Sequence, residues 1–115
     1  MKYKTGELEG ERLDCAVSLS LFLWQSGAVI SSAEASAAFK PSSNWADGGP
    51  IIEKYGINLL GEKSISDPHG FASWSAKIYG SYFSGTPDVL AGATTPLVAA
   101  MRAFVRAKLG DEVEL

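Results

Sequence analysis

Hydrophobic and polar positions change period several times along the chain, and each change marks a predicted element. Leu13, Ala16, Val17, Leu21 and Trp24 recur at three- and four-residue spacing, which predicts a helix over 9–24. Glu9, Glu11 and Asp14 sit early, where negative charge suits a helix N-terminus, and Gly27 is placed to stop it. The stretch 17–23 also alternates serine with larger residues, so a strand is the competing reading of that half. Residues 28–40 give no single pattern. Ala28-Val29-Ile30 suits a short strand, and the small, alanine-rich run 32–39 suits a helical turn or an irregular connection.

Ser42, Ser43 and Asn44 are all good helix N-caps. A helix from there through Tyr55, ending at Gly56, places Pro50 inside, where a proline removes a hydrogen bond and costs about 3 kcal/mol. The competing reading starts the helix at Pro50, with Gly48-Gly49 as its approach. In both, Ile51, Ile52 and Tyr55 face the core. A short strand follows at 57–60, then a polar loop over 61–70 containing Asp67-Pro68 and Gly70. The run 71–79 alternates cleanly and predicts a half-buried strand with Trp74 and Ile78 inward. Gly80-Ser81 reads as a hairpin-like turn into Tyr82-Phe83. Gly85, Pro87, Gly92 and two threonines make 84–94 a long exposed loop. Thr94 or Thr95 then caps a last helix with Pro96 in its first turn. Leu97, Ala100, Met101, Phe104, Val105 and Leu109 form its apolar stripe, Arg102, Arg106 and Lys108 suit its C-terminal half, and Gly110 ends it. Residues 111–115 read as an acidic tail. The expected fold class is α+β in one domain, a small antiparallel sheet packed with N-terminal, middle and C-terminal helices.

Composition narrows the function classes. A chain of 115 residues that is 46% hydrophobic can bury a real core. The net charge is −3, with ten basic residues scattered among thirteen acidic ones, which argues against a nucleic-acid partner. A single cysteine, Cys15, excludes an internal disulfide scaffold and suits a reducing compartment. The acids that follow Lys2 and Lys4 break a signal-peptide pattern, and the apolar stretch 16–24 is far short of the ~20 residues that span a bilayer. The expectation is a cytoplasmic protein with no membrane partner.

Chemistry-bearing residues are sparse. His69 is the only histidine and stands in a turn, and a zinc site usually takes three or four ligands. Cys15 neighbours Asp14, the wrong charge for an activated thiolate, and reads as a small packed hydrophobe. Gly48-Gly49 before Pro50 suits a phosphate-cradling turn, but the lysine and hydroxyl of a P-loop are missing, and a turn packed closely against Trp45 or Trp74 is the plainer reading. Trp24, Trp45 and Trp74 read mainly as core, with Tyr82-Phe83 the best placed of the aromatics for a binding surface. Asp47 and Glu53 read as a cap and a solvated face rather than an acid–base pair. Arg102 lies beside the apolar stripe, within reach of Glu53 or of a partner's carboxylate, and a structural salt bridge or helix-surface role is the plainer reading. The candidate binding residues are therefore Trp45, Asp47, Gly48, Gly49, Tyr82, Phe83 and Arg102. No catalytic residue, metal or cofactor is expected.

Three pieces of the chain resemble the NinX-like family of phage accessory proteins. They are Leu8-Glu9-Gly10 with Leu13-Asp14, then Pro41-Ser42-Ser43-Asn44-Trp45-Ala46-Asp47-Gly48-Gly49-Pro50-Ile51-Ile52-Glu53, and Thr95-Pro96-Leu97-Val98-Ala99-Ala100-Met101-Arg102-Ala103-Phe104-Val105 with Lys108-Leu109-Gly110-Asp111-Glu112-Val113. A more distant resemblance is to a phage sandwich domain of helix, sheet and helix layers. The resemblance implies a small α+β fold and a phage or prophage origin, and it carries over no catalytic residue. The segment before Pro41 departs from the family pattern, and the 84–94 loop is long for it. The expected function is a non-catalytic accessory protein that binds a host or phage protein in the bacterial cytoplasm. The alternative is a small-molecule binder that sequesters a nucleotide signal of host defence, with its pocket at a homo-oligomer seam.

Overall fold

In the computed structural model, residues 2–25, 39–63, 70–80 and 87–115 are described. Their elements are strand β1 (Lys2–Lys4), a 3-10 turn (Thr5–Glu7), helix α1 (Gly10–Gln25), helix α2 (Trp45–Tyr55), strands β2 (Asn58–Lys63), β3 (Phe71–Ile78) and β4 (Val89–Ala93), helix α3 (Pro96–Leu109) and strand β5 (Glu112–Glu114). This is the expected α+β class.

Helix α3 is the hub. The Thr95 side chain accepts from the Val98 N–H at 3.3 Å, Pro96 takes the first turn, and Gly110 closes the helix with φ +88°. The expected stripe is buried from Leu97 to Val105, with Leu109 half-buried, and Ala99 and Ala103 beside it are buried too. The sheet and the other two helices all pack on α3. Alanine is what lets neighbours approach it on several sides at once.

Helix α1 is continuous through 17–23, so the competing strand reading fails. Ser20, although buried, donates its hydroxyl to the Ala16 carbonyl at 2.8 Å and satisfies itself inside the helix. Asp14 does not serve the helix terminus at the surface. It is buried, and its Oδ1 accepts the Ser42 backbone N–H at 2.8 Å, tying the approach to α2 onto α1.

Helix α2 begins at the Asn44 cap, whose Oδ1 accepts the Ala46 N–H at 2.9 Å, and ends at Gly56 in the left-handed conformation. The start at Pro50 is overturned, since Pro50 lies inside the helix. The carbonyl one turn back that Pro50 cannot donate to belongs to Ala46, and both residues are exposed.

Strands β2, β3 and β4 form one antiparallel sheet in that order. Leu59, Ala76 and Ala91 stand in register, as do Ile78 and Val89, and Trp74 and Ala93, and all of these side chains face the core. Asn58, Leu60 and Glu62, Ser73, Ser75 and Lys77, and Leu90 and Gly92 make the outer face. Strand β4 corrects the reading of 84–94 as loop throughout. The acidic tail is corrected too, because β5 pairs antiparallel with β1, placing Lys2 opposite Glu114, Tyr3 opposite Val113 and Lys4 opposite Glu112. Buried Thr5 locks this corner, donating its N–H to the Asp111 carbonyl at 2.9 Å and its hydroxyl to the Gly110 carbonyl at 2.9 Å.

Candidate functional site

The segment leading into α2 is a closed clasp. The N–H groups of Ser43 and Asn44 both reach the Lys40 carbonyl, and the Lys40 N–H donates to Asp47 Oδ2 at 2.9 Å. With Asn44 capping from the other side, the first turn of α2 is held by its own side chains and by Asp14 beneath it. Asp47 is thus a structural acceptor. Gly48 is a packing glycine: a Cβ there would collide with the Pro41 carbonyl oxygen and lie 2.7 Å from Leu97 Cδ2. The close approach is to Pro41 and Leu97, not to Trp45 or Trp74. Gly49 has nothing within 4 Å of its missing Cβ. Trp45 is not core. It is 54% exposed at the first position of this fixed turn.

Arg102 stands elsewhere. Five residues past Leu97, it lies about 140° round α3 from the face that meets Gly48. Its Nε donates to the Leu8 carbonyl at 2.7 Å and another guanidinium nitrogen to the Gly92 carbonyl at 2.8 Å. Its partners are backbone carbonyls, not Glu53, which is exposed on α2. Arg106, one turn on, repeats the arrangement with the Leu90 carbonyl at 3.0 Å and Asp111 Oδ1 at 2.7 Å. Tyr82 and Phe83, like His69 and the 28–38 segment, lie outside the described residues. The structure therefore brings Trp45, Asp47, Gly48 and Gly49 together and sets Arg102 apart.

Sequence reasoning missed the outer sheet face, where Leu60 is 67% and Leu90 56% exposed. The alternation Val89-Leu90-Ala91 was its signal. It also missed a cationic–aromatic cluster. The Tyr55 and Phe104 ring centroids are 4.8 Å apart, Lys108 Nζ stands 5.1 Å from the Tyr55 ring centroid, and Lys54 Nζ stands 5.6 Å from it. Burial, with the Lys54 charge adding to it, lowers the Lys108 ammonium to about 8. Burial likewise raises the Tyr55 hydroxyl above its ordinary value. An open cleft of about 400 Å3 lies near the N-terminus. Lys2, Lys4, Glu7, Glu9 and Arg12 line it, and the Arg12 guanidinium sits 4.7 Å over the Tyr3 ring. Among the described residues no three His, Cys, Asp or Glu side chains gather as a metal site requires, and no helix is long and apolar enough to cross a membrane.

A search of curated proteins found no match. A family model described as Bacteriophage P22, NinX matches residues 4–108, which takes in α1, the α2 clasp, the three-stranded sheet and nearly all of α3. With most of its length so matched, the chain belongs to the NinX family and is a phage accessory protein.

Proposed function

We propose that this protein works without chemistry of its own, by binding a host or phage protein in the bacterial cytoplasm through the face that Trp45 presents. The observation that carries the reading is a tryptophan left 54% exposed on a turn fixed by three side chains. Tryptophan is the residue type most enriched among interface hot spots, and a rigid anchor loses little entropy on docking. Capping and packing account for Asp47 and Gly48, and neither accounts for Trp45.

The second reading, capture of a small nucleotide-like molecule, is favoured by one feature. The N-terminal cleft offers an aromatic ring and three cationic side chains. Two glutamates share that cleft, which weakens its hold on a phosphate, so the protein-binding reading ranks first.

Native mass spectrometry on tagged protein recovered from prophage-carrying cells separates them. The protein-binding reading expects a co-purifying polypeptide with wild type that is lost with Trp45→Ala. An added mass of a few hundred daltons that survives Trp45→Ala and is lost with Arg12→Ala contradicts it and supports the small-molecule reading.

A further inference from the structure

The two edges of the three-stranded sheet are finished differently. Backbone groups along a strand point alternately to its two neighbours. The Leu90 and Gly92 carbonyls are taken by Arg106 and Arg102, so in β4 these residues point away from β3. It follows that Trp74, Ala76 and Ile78 bond to β4, while Ser73, Ser75 and Lys77 bond to β2. The Ser75 hydroxyl, 3.5 Å from the Leu60 carbonyl, agrees. In β2, then, Leu60 turns its backbone to β3, and Leu59 and Gly61 turn theirs outward. Among the described residues nothing outside the β2–β3 ladder bonds to the Leu59 or Gly61 backbone.

We propose that this edge pairs with the same edge of a second copy, antiparallel about a two-fold axis at Leu60. That register alone makes the two outward-pointing residues answer each other, Leu59 of one copy exchanging both backbone hydrogen bonds with Gly61 of the other. It sets the two Leu60 side chains, each 67% exposed, directly against one another on the outer face. It places Asn58 opposite Glu62, an amide donor facing a carboxylate, and Lys63 opposite Ile57, so no like charges meet. On the inner face it covers Leu59, which is only half-buried in one copy. The product is a continuous six-stranded sheet whose outer edges are both β4, where arginines already take the Leu90 and Gly92 carbonyls. A pairing of one short strand from each copy falls at the small, transient end of interfaces, so it is expected to dissociate on dilution.

Sedimentation velocity of the full chain from micromolar to sub-millimolar concentration tests the pairing. Wild type is expected to move from 12.2 kDa to twice that mass. Leu60→Lys, which sets two charges against each other, is expected to stay monomeric with an unchanged melting temperature. Position 60 also permits a direct test of register. Residues facing each other as a non-hydrogen-bonded pair stand about 4.5 Å apart at Cα, within disulfide reach. Leu60→Cys is therefore expected to cross-link to a dimer on mild oxidation, and Leu90→Cys, also exposed but on the arginine-clamped edge, is not. Wild type that stays at 12.2 kDa throughout, leaving the edge to a strand from another protein, overturns the pairing. So does equal cross-linking of the two cysteine variants.

Discussion

The two longest segments in which the chain resembles the NinX family do opposite work. Residues 95–105 are interior, with Phe104, Met101 and Val105 fully buried beneath the sheet and both other helices. Residues 41–53 are largely a surface device, a self-clasped turn that buries Gly48 and Ile51 but leaves Trp45 in solvent. Two segments that resemble the family thus serve packing in one place and presentation in another, and burial tells them apart.

The contrast breaks most visibly at Phe104. Phe104→Ala removes a ring packed on Tyr55, and a loss of about 3–5 kcal/mol is expected, enough to leave much of so small a domain unfolded in a denaturant titration. Within the clasp, neighbouring glycines should respond with opposite signs. Gly48→Ala forces a methyl against Pro41 and Leu97 and should cost roughly 1–3 kcal/mol. Gly49→Ala meets nothing in a helix interior and should stabilise by about 0.5–1 kcal/mol in the same titration. Asp14→Ala leaves the Ser42 N–H buried without its acceptor, with an expected cost of about 1–3 kcal/mol by urea unfolding.

A smaller effect belongs to pH. Lys108 holds its proton less tightly when folded, at about 8 against 10.5, so between those values the unfolded chain binds more protons and stability rises with pH. The raised Tyr55 hydroxyl acts the other way once pH passes 10, because there the folded chain keeps the proton. Melting temperatures are therefore expected to climb from pH 8 toward 10, and Lys108→Met should flatten that climb.

What local sequence made legible follows from the same physics. Helix α3 was readable because Thr95, Pro96, the apolar stripe and Gly110 all point to one helix. The Asn44 cap and Gly56 similarly bounded α2, and Pro50 alone blurred its start. Strand β4 was hidden because Pro87, Gly92 and the two threonines crowd a five-residue strand with turn signals. Strands β1 and β5 are three residues each and pair across the whole chain, a contact no local pattern announces. Their opposed lysines and glutamates were the trace to follow. The arginine clamps escaped notice because their partners are backbone carbonyls, which carry no residue identity. Trp45 was readable mainly as core and also as a binding candidate, since an aromatic residue satisfies both patterns until its burial is seen.

The most direct test of the contrast is thermal unfolding of Trp45→Ala beside Phe104→Ala. Solvent-exposed positions usually change stability by less than about 0.5 kcal/mol. Trp45→Ala is expected to melt with wild type while Phe104→Ala does not. A comparable fall in both would show Trp45 to be part of the structural frame and would contradict its assignment as a presented binding residue.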